Sequence, residues 1–392
     1  MTEQEILREC NDMQTEMIAW RRFLHEHAEV GFHLETTREF VLNTLSKMGI
    51  DGEKIGRSGV VANLGKPRKK GAFLLRADMD GLPIKEESGE TFSAKNGNMH
   101  ACGHDLHTAM LLGATKVLKT REKELKGAVK ILFQPAEERL EGAKDALSAG
   151  LLRSPKVNGG MMLHVLAGVP LPTGALIVAE GVSAPACDYF TITVTGKGCH
   201  GSSPHQGVDA LLVASQIAIA LQTPIAREIS PNVRAVLTIG SIRAGDADNV
   251  IPERAILKGT LRSFDERKRK FLKTRVKELV QSIAKGFRAT AEVVFPSGCP
   301  ALLNDDNLSQ NAYRVLKGAQ KSVYLSSEFS SGDSVGGSED FAYISQKIPS
   351  VMVGLVAGKG EYGLHNPKVC FDESVLPIGA TAYALMALEL GK

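Results

Sequence analysis

The sequence has little net charge and no long apolar run, and each absence excludes a class of protein. Its 392 residues carry a net charge of +3 at pH 7. A nucleic-acid-binding face would require clustered basic residues, so no nucleic-acid partner is expected. No run of about 18 apolar residues occurs, and we therefore expect neither a transmembrane helix nor a membrane partner.

Neither a secretory signal nor a disulfide framework is expected from the sequence. Residues 1–17 are polar and charged, whereas a signal peptide needs an apolar core. The six cysteines are scattered along the chain without a framework spacing. We therefore expect reduced thiols and a cytoplasmic location. Five cysteines are interpreted as core or surface residues, and Cys102 is set apart by the residues around it.

The alternation of predicted strands and helices indicates an α/β fold. The composition, with 43% hydrophobic and 23% charged residues, is that of a globular protein. The length exceeds the roughly 250–300 residues at which a single core stops growing. Near-continuous apolar strands predict a mainly parallel mixed sheet with helices on both faces. The predicted helices are 4–27, 36–47 and 109–118, and the predicted strands are 59–64, 71–78, 127–133, 160–165 and 349–357.

A second domain is predicted within the first. The segment 183–295 contains six predicted elements in the order βαββαβ, which is the ferredoxin-like arrangement. We therefore predict a discontinuous larger domain at 1–182 and 296–392 and an inserted domain at 183–295. The six elements are 188–195, 208–221, 234–242, 255–263, 265–284 and 291–295.

One short stretch, 99–108, concentrates potential metal ligands. Cys102 and His104 lie two residues apart just before a predicted helix, and a thiolate with an imidazole suits a transition metal. A Cys-Gly-His trio alone is a weak signal. Further donors follow other predicted strands, and in open α/β sheets the carboxyl ends of strands form the ligand-binding edge. These further donors are Glu138, His164 and His365.

The five candidate ligands suffice for two ions, with the thiolate of Cys102 able to bridge them. Glu137 adjoins a candidate ligand and is predicted to be the general base and later the acid. Asp78 or Asp105 is predicted to orient a ligand imidazole. Other histidines, such as His107, are interpreted as structural. The pattern indicates a metal-dependent hydrolase.

These motifs resemble the M20 metallopeptidase family, in particular its amidohydrolase branch, which contains hippurate hydrolases, auxin-conjugate hydrolases and N-acyl-amino-acid amidohydrolases. The other branches carry a His-x-Asp ligand motif where this chain has Arg76-Ala77-Asp78, and His104 is expected to replace the missing imidazole. Cys199 stands where glycine is usual in the family. The matching segments, in family order, are 76–84, 99–108, 133–138, 196–209, 249–252, 338–341 and 364–367.

The resemblance implies a function for each part of the chain. It implies the five metal ligands given above, with Glu137 as the base, and an inserted domain that serves as a lid and forms a homodimer. His200 is expected to stabilise the oxyanion, in its own or a neighbouring active site. Asn249 and Arg262 are expected to receive the substrate carboxylate, because the guanidinium fork binds both oxygens.

The expected reaction is hydrolysis of an N-acyl or N-aroyl amino acid to a carboxylic acid and a free amino acid. Two divalent ions are expected as cofactors, and a mixed Cys/His/Glu ligand set suits zinc, manganese, nickel or cobalt. Two alternatives remain open. One is a dipeptidase or carboxypeptidase that uses the same site, and the other is a non-catalytic binding protein on this scaffold.

Overall fold

The computed structural model describes residues 2–66, 71–328 and 337–390. Within them the chain divides into two compact units. The larger contains residues 2–183, 303–328 and 340–390, and the smaller contains 184–302 and 337–339. The smaller unit therefore continues beyond residue 295, where the sequence pattern placed its end.

The described chain consists of helices and strands that alternate over most of its length. The helices are α1 (Glu3–Asp12), α2 (Gln14–Glu26), α3 (Glu35–Lys47), α4 (His104–Thr120), α5 (Gly142–Ser148), α6 (Ala210–Ala220), α7 (Glu266–Gly286), α8 (Asp306–Ala319), α9 (Ala342–Ser345) and α10 (Leu376–Leu390). The strands are β1 (Gly52–Ile55), β2 (Gly59–Leu64), β3 (Ala72–Asp78), β4 (Ala128–Gln134), β5 (Val157–Leu166), β6 (Leu176–Val178), β7 (Val182–Ala184), β8 (Ala186–Thr195), β9 (Cys199–His200), β10 (Ala235–Ala244), β11 (Val250–Ile251), β12 (Arg254–Ser263), β13 (Thr290–Cys299), β14 (Leu302–Leu303), β15 (Val323–Leu325), β16 (Ser350–Val356), β17 (Gly358–Lys359) and β18 (Cys370–Phe371).

The larger unit is built on a mixed sheet. Among the described residues this sheet has eight strands in the order β1-β2-β4-β3-β5-β16-β6-β15. Its central strands β4, β3, β5 and β16 run parallel to one another. Every residue of β3 and β4 is buried, as expected for strands covered on both faces. The predicted α/β class with a mainly parallel sheet is confirmed.

The parallel register brings the carboxyl ends of the central strands to one edge. Asp78, the last residue of β3, lies opposite Gln134, the last residue of β4. His164, near the end of β5, lies opposite Gly354 of β16. The residues that follow these strands therefore share an edge, as the sequence pattern predicted.

The first predicted helix, 4–27, is two helices in the structure. Met13 separates α1 from α2. At the end of α2, His27 Nδ1 donates to the carbonyl of Phe23 at 2.8 Å, which is the structural role expected at a helix C-terminus. His25 takes part in a different contact, described below.

The smaller unit has the predicted βαββαβ order. Its four-stranded sheet, within the described residues, is β10-β12-β8-β13, with every neighbouring pair antiparallel. Helix α6 buries Ala210, Val213, Ala214 and Ile217 in the core of this unit. The segment Ala210–Glu228 is long and apolar enough to meet a length and composition test for a membrane span, with 33% of it buried. A core-facing helix of a globular unit passes the same test.

Candidate metal centre

The turn before α4 places a thiol and an imidazole side by side. Gly103 lies between Cys102 and His104 with φ +79°, a left-handed conformation that glycine adopts without strain. A Cβ at Gly103 would lie 2.3 Å from Cγ2 of Val165. Glycine therefore permits both the turn and its close packing against β5, and α4 begins directly at His104.

The five predicted ligand residues come together at the sheet edge. Two groups of possible donor atoms, each within 4.8 Å, share Cys102. The Sγ atom of Cys102 lies 3.6 Å from Nε2 of His164 and 3.3 Å from Nε2 of His365. Nε2 of His365 lies 3.3 Å from Oε1 of Glu138. One group is Cys102, His104 and His164, and the other is Cys102, Glu138 and His365.

Backbone contacts set the direction of the two distant histidines. Nδ1 of His164 is 2.6 Å from the carbonyl oxygen of Val165 and donates to it, so the lone pair of Nε2 faces Cys102. The N–H of His365 donates to the carbonyl of Ala101 at 2.9 Å. His365 has φ +64°, a strained conformation for a residue other than glycine, of the kind that recurs at functional sites.

Glu137 and Glu138 are oriented by a carboxylate that the sequence pattern did not single out. Ala136, with φ +54°, begins a short 3₁₀ turn after β4. Asp80 then accepts the backbone N–H groups of Glu137 at 3.1 Å and Glu138 at 3.2 Å. Oε1 of Glu137 accepts the N–H of Asp340 at 3.3 Å. Buried Glu137 therefore stands beside the ligand residues in a fixed direction.

The electrostatics of the group favour anionic donors. Burial raises the pKa of Cys102, but the imidazoles of His164 and His104 lower it to about 6. Burial likewise raises the pKa of Glu138, while His365 and His104 bring it below its ordinary value. Hydrogen bonds to Cys102 and Glu138 raise the pKa of His365 to about 10. A thiolate and a carboxylate are therefore present at neutral pH.

The donor set fits divalent metal ions. In the part of the chain that the structure describes, both ring nitrogens of His104 are buried without a hydrogen-bond partner, and such atoms are costly unless a ligand satisfies them. A soft thiolate with imidazoles and a carboxylate suits zinc and related transition metals.

Asp78 lies closer to the imidazole of His107 than to that of the predicted ligand His104. Its Oδ1 atom lies 2.6 Å from Nδ1 of His107, whereas its Oδ2 atom is 3.7 Å from Nε2 of His104. Nε2 of His107 accepts the N–H of Val165 at 2.8 Å. Both ring nitrogens of His107 are thus engaged, which gives this residue a structural role.

A buried arginine network lies beneath the ligand group. Arg76 is fully buried and donates to Asp78 at 2.7 Å, to Gln134 at 3.0 Å and to Asp340 at 3.0 Å. Gln134 also donates to Asp340 at 2.7 Å. The backbone N–H of Asp340 also donates to Glu137. The network therefore connects Arg76 and Asp78 of β3 to the predicted base. In the sequence, the single arginine within the apolar run of β3 is the feature that could have predicted this network.

The prediction that Asp105 orients a ligand imidazole is corrected. Its side chain points to α2, where Oδ2 accepts Nε of Arg21 at 2.7 Å and contacts Nδ1 of His25 at 2.8 Å. Because successive helical residues project in different directions, Asp105 cannot follow His104 towards the ligand group. Asp105 instead ties the start of α4 to α2.

This contact predicts a pH-dependent stability. Burial opposes the charge of His25, but Asp105 and Glu86 raise its pKa to about 9, above its ordinary value of 6.5. A raised folded-state pKa stabilises the protein below pH 6.5, and this stabilisation is lost as the pH rises to 9. We expect His25→Gln to remove up to about 3 kcal/mol of this pH-dependent free energy of unfolding, measured by denaturant unfolding at both pH values. His27→Gln is the control, and an unchanged pH dependence in His25→Gln would contradict the assignment.

Three further predicted site residues belong to the smaller unit. His200 is exposed on β9, opposite Val250 of β11. The carbonyl of Asn249 accepts the N–H of Gly201 at 2.7 Å. Because Gly201 follows His200 directly, Asn249 lies close to His200 in the fold. Arg262, on β12, donates to the hydroxyl of Ser338 at 3.2 Å. The nearby carboxylate of Asp265 caps α7, where it accepts the backbone N–H groups of Arg267 and Lys268.

The chain is similar over most of its length to hydrolases of known sequence and structure. Residues 74–389 match the family model described as peptidase family M20/M25/M40. The chain is 34% identical over 396 residues to thermostable carboxypeptidase 2 of Saccharolobus solfataricus, with 98% of each chain covered. It is 37% identical over 309 residues to the N-acyl-L-amino acid amidohydrolase of Geobacillus stearothermophilus, with 78% of this chain and 82% of the relative covered. A dinuclear metal binding peptidase of Bacillus subtilis matches with a TM-score of 0.80 at 33% identity, covering 97% of this chain and 99% of the other.

Proposed function

Because the chain belongs to peptidase family M20/M25/M40 and is a metal-dependent hydrolase, we propose that it hydrolyses the amide bond of N-acyl or N-aroyl amino acids. The products are a carboxylic acid and a free amino acid. The observation that carries the proposal is the joint presence of two donor groups around Cys102 and a buried carboxylate, Glu137, beside them. Similarity to an N-acyl-L-amino acid amidohydrolase supports the substrate class.

Five residues would hold two divalent ions, with Cys102 shared between them. The other four are His104, Glu138, His164 and His365. Bound ions of this kind supply electrophilic polarisation of the scissile carbonyl and acidification of water. The mixed ligand set is compatible with zinc, manganese, nickel or cobalt.

Glu137 is proposed to move the proton. A carboxylate oxygen of Glu137 lies within 4.8 Å of donor atoms of His104 and Glu138, and the N–H of Asp340 holds one carboxylate oxygen. Glu137 takes the proton from water as the amide carbonyl is attacked. It then returns this proton to the leaving amine, so the base of the first step is the acid of the second.

The smaller unit, which is the inserted domain, is proposed to serve as a lid and to bind substrate. Arg262 and Asn249 would bind the substrate carboxylate, because a guanidinium fork and an amide match its two oxygens. His200 would donate to the oxyanion that develops on the amide carbonyl. These three roles are those that the family resemblance implies.

A homodimer through the smaller unit is also proposed. Strand β10 is at the edge of its sheet, and an exposed edge strand is a template for pairing with another chain. Large apolar side chains are exposed on this strand and on α6, which is the signature of an interaction surface. They are Val236, Ile242, Leu211, Leu212 and Ile219.

A cytoplasmic location is proposed on the state of the thiols. None of the six cysteines, all of which lie within the described residues, forms a disulfide bond. Free thiols suit a reducing compartment. A reduced environment would also protect the thiolate of Cys102, whose lowered pKa makes it oxidisable.

A substrate panel tests the proposed reaction. We expect purified protein loaded with divalent metal to hydrolyse acetyl-, benzoyl- and longer acyl-amino acids. Its kcat/KM for these compounds should exceed its kcat/KM for dipeptides and for longer peptides cleaved at their C-terminal residue. Chelator-treated protein is the control, and its activity should return when divalent metal is added. Preferred cleavage of peptides would favour the carboxypeptidase or dipeptidase alternative, to which the similarity with thermostable carboxypeptidase 2 points. Binding without turnover of any member would contradict the proposal.

A further inference from the structure

The turn that follows β9 makes hydrogen bonds to one nitrogen of the exposed His200 ring. Nδ1 of His200 lies 3.1 Å from the backbone nitrogen of Ser202 and 2.8 Å from its hydroxyl oxygen. The backbone N–H of Ser202 points at Nδ1 with hydrogen-bond geometry. A backbone amide can only donate, so Nδ1 must offer its lone pair.

This contact fixes where the proton of the ring resides. In neutral imidazole one nitrogen carries the proton and the other accepts. Since Nδ1 accepts from Ser202, the proton is on Nε2, the atom that faces away from the turn. The hydroxyl of Ser202 then serves as a second donor to Nδ1. We propose that Ser202 is a positioning residue that locks His200 in the Nε2–H tautomer and holds its ring direction.

The turn is built to keep this geometry. The N–H of Gly201 donates to the carbonyl of Asn249 at 2.7 Å, and the N–H of Ser203 donates to the carbonyl of His200 at 2.8 Å. The thiol of Cys199 donates to the carbonyl of Ser203 at 3.5 Å. A Cβ at Gly207 would lie 2.5 Å from Sγ of Cys199. Cys199, which departs from the family pattern, is therefore part of the turn that presents His200.

This tautomer matters for catalysis if His200 stabilises the oxyanion, so the inference rests on the proposed function. An oxyanion needs a hydrogen-bond donor, and only a ring protonated at the outward nitrogen can supply one without reorganisation. The other tautomer would present a lone pair to the developing negative charge. Ser202 would thus act on the reaction through His200 and would not touch the substrate.

Nitrogen NMR of the free protein tests the tautomer without any substrate. In protein labelled with ¹⁵N-histidine, comparison with His200→Gln assigns the resonances of His200 among the ten histidines. We expect a pyrrole-type shift for Nε2 and a pyridine-type shift for Nδ1. Ser202→Ala should move the Nδ1 resonance, Ser202→Thr should restore it, and the neighbouring control Ser203→Ala should leave it in place. A pyrrole-type Nδ1, or an averaged shift for both nitrogens, would overturn the inference.

Kinetics then test the consequence of the lock. Glutamine places an amide N–H near the Nε2 position and asparagine near the Nδ1 position, so His200→Gln should retain more kcat than His200→Asn. Ser202→Ala should lower kcat by about 3- to 10-fold, the effect of one neutral hydrogen bond, with KM nearly unchanged and with recovery in Ser202→Thr. Equal kcat in Ser202→Ala and Ser203→Ala would overturn the role of Ser202. Because the NMR measurement needs no turnover, failure of the proposed reaction and failure of the lock give different results.

Discussion

Replacing Glu137 with glutamine is expected to lower kcat by about 10²- to 10⁴-fold while the bound metal stays in place. Glutamine has the shape of glutamate, and the backbone N–H of residue 137 that binds Asp80 remains. The amide cannot accept a proton from water, so both the attack and the protonation of the leaving amine lose their catalyst. Steady-state kinetics with metal analysis of the same sample measures both quantities.

The adjacent residue provides a matched control for this substitution. Glu138→Gln changes the same chemical group one position along the same turn, but Oε1 of Glu138 lies 3.3 Å from Nε2 of His365 within a donor group. We expect Glu138→Gln to lose metal together with activity. If Glu137→Gln were also to lose metal, Glu137 would be a ligand and the assignment of the base would be wrong.

Replacing Cys102 with serine is expected to remove both ions. The thiolate is the donor that both groups share, and its pKa of about 6 makes it anionic at neutral pH. A serine hydroxyl stays protonated and is a hard, weak ligand for transition metals. Loss of an atom that merely orients a ligand costs roughly 10- to 100-fold in metal affinity, so loss of a shared ligand should cost at least about 100-fold.

Metal titration followed by calorimetry checks this expectation. Cys370→Ser is the control, because Cys370 is also a free and partly accessible thiol but is not in either donor group. That variant should bind two ions with the affinity of the original protein. Retention of one tightly bound ion in Cys102→Ser would show that the thiolate is not shared.

The sheet and the meeting of the candidate ligands could be predicted from local patterns. The apolar runs that become β3 and β4 are buried throughout, and a run of this kind is visible in a few residues. Once parallel strands are assigned, the edge rule of open α/β sheets places the residues after each strand together. Cys102, Glu138, His164 and His365 then fall at one edge without any knowledge of side-chain contacts.

The supporting contacts could not be predicted in this way, because they join residues far apart in the sequence. Arg76 and Asp340 are 264 positions apart, and Asp105 and Arg21 are 84 apart. The local sequence pattern carries no information about such pairs. The charged partner of a buried residue can therefore be identified only in the folded chain. Asp105 was predicted to orient a ligand imidazole, whereas its side chain contacts Arg21 and His25 of α2.

The end of the smaller unit was also misplaced for a local reason. The last strand was predicted to end at residue 295, directly before Pro296, since proline cannot donate to a sheet. In the structure β13 continues to Cys299, and its register shifts between Val294 and Ser297 around the proline. Strand β13 is at the edge of its sheet, where a bulge and a proline are tolerated.

An anomalous diffraction measurement on crystals grown with divalent metal tests the central claim most directly. Two peaks about 3.5–4 Å apart, each adjacent to Sγ of Cys102 and flanked by His104, His164, Glu138 and His365, are the expected result. A single peak, or peaks remote from the sulfur of Cys102, would contradict a site in which one thiolate holds two ions.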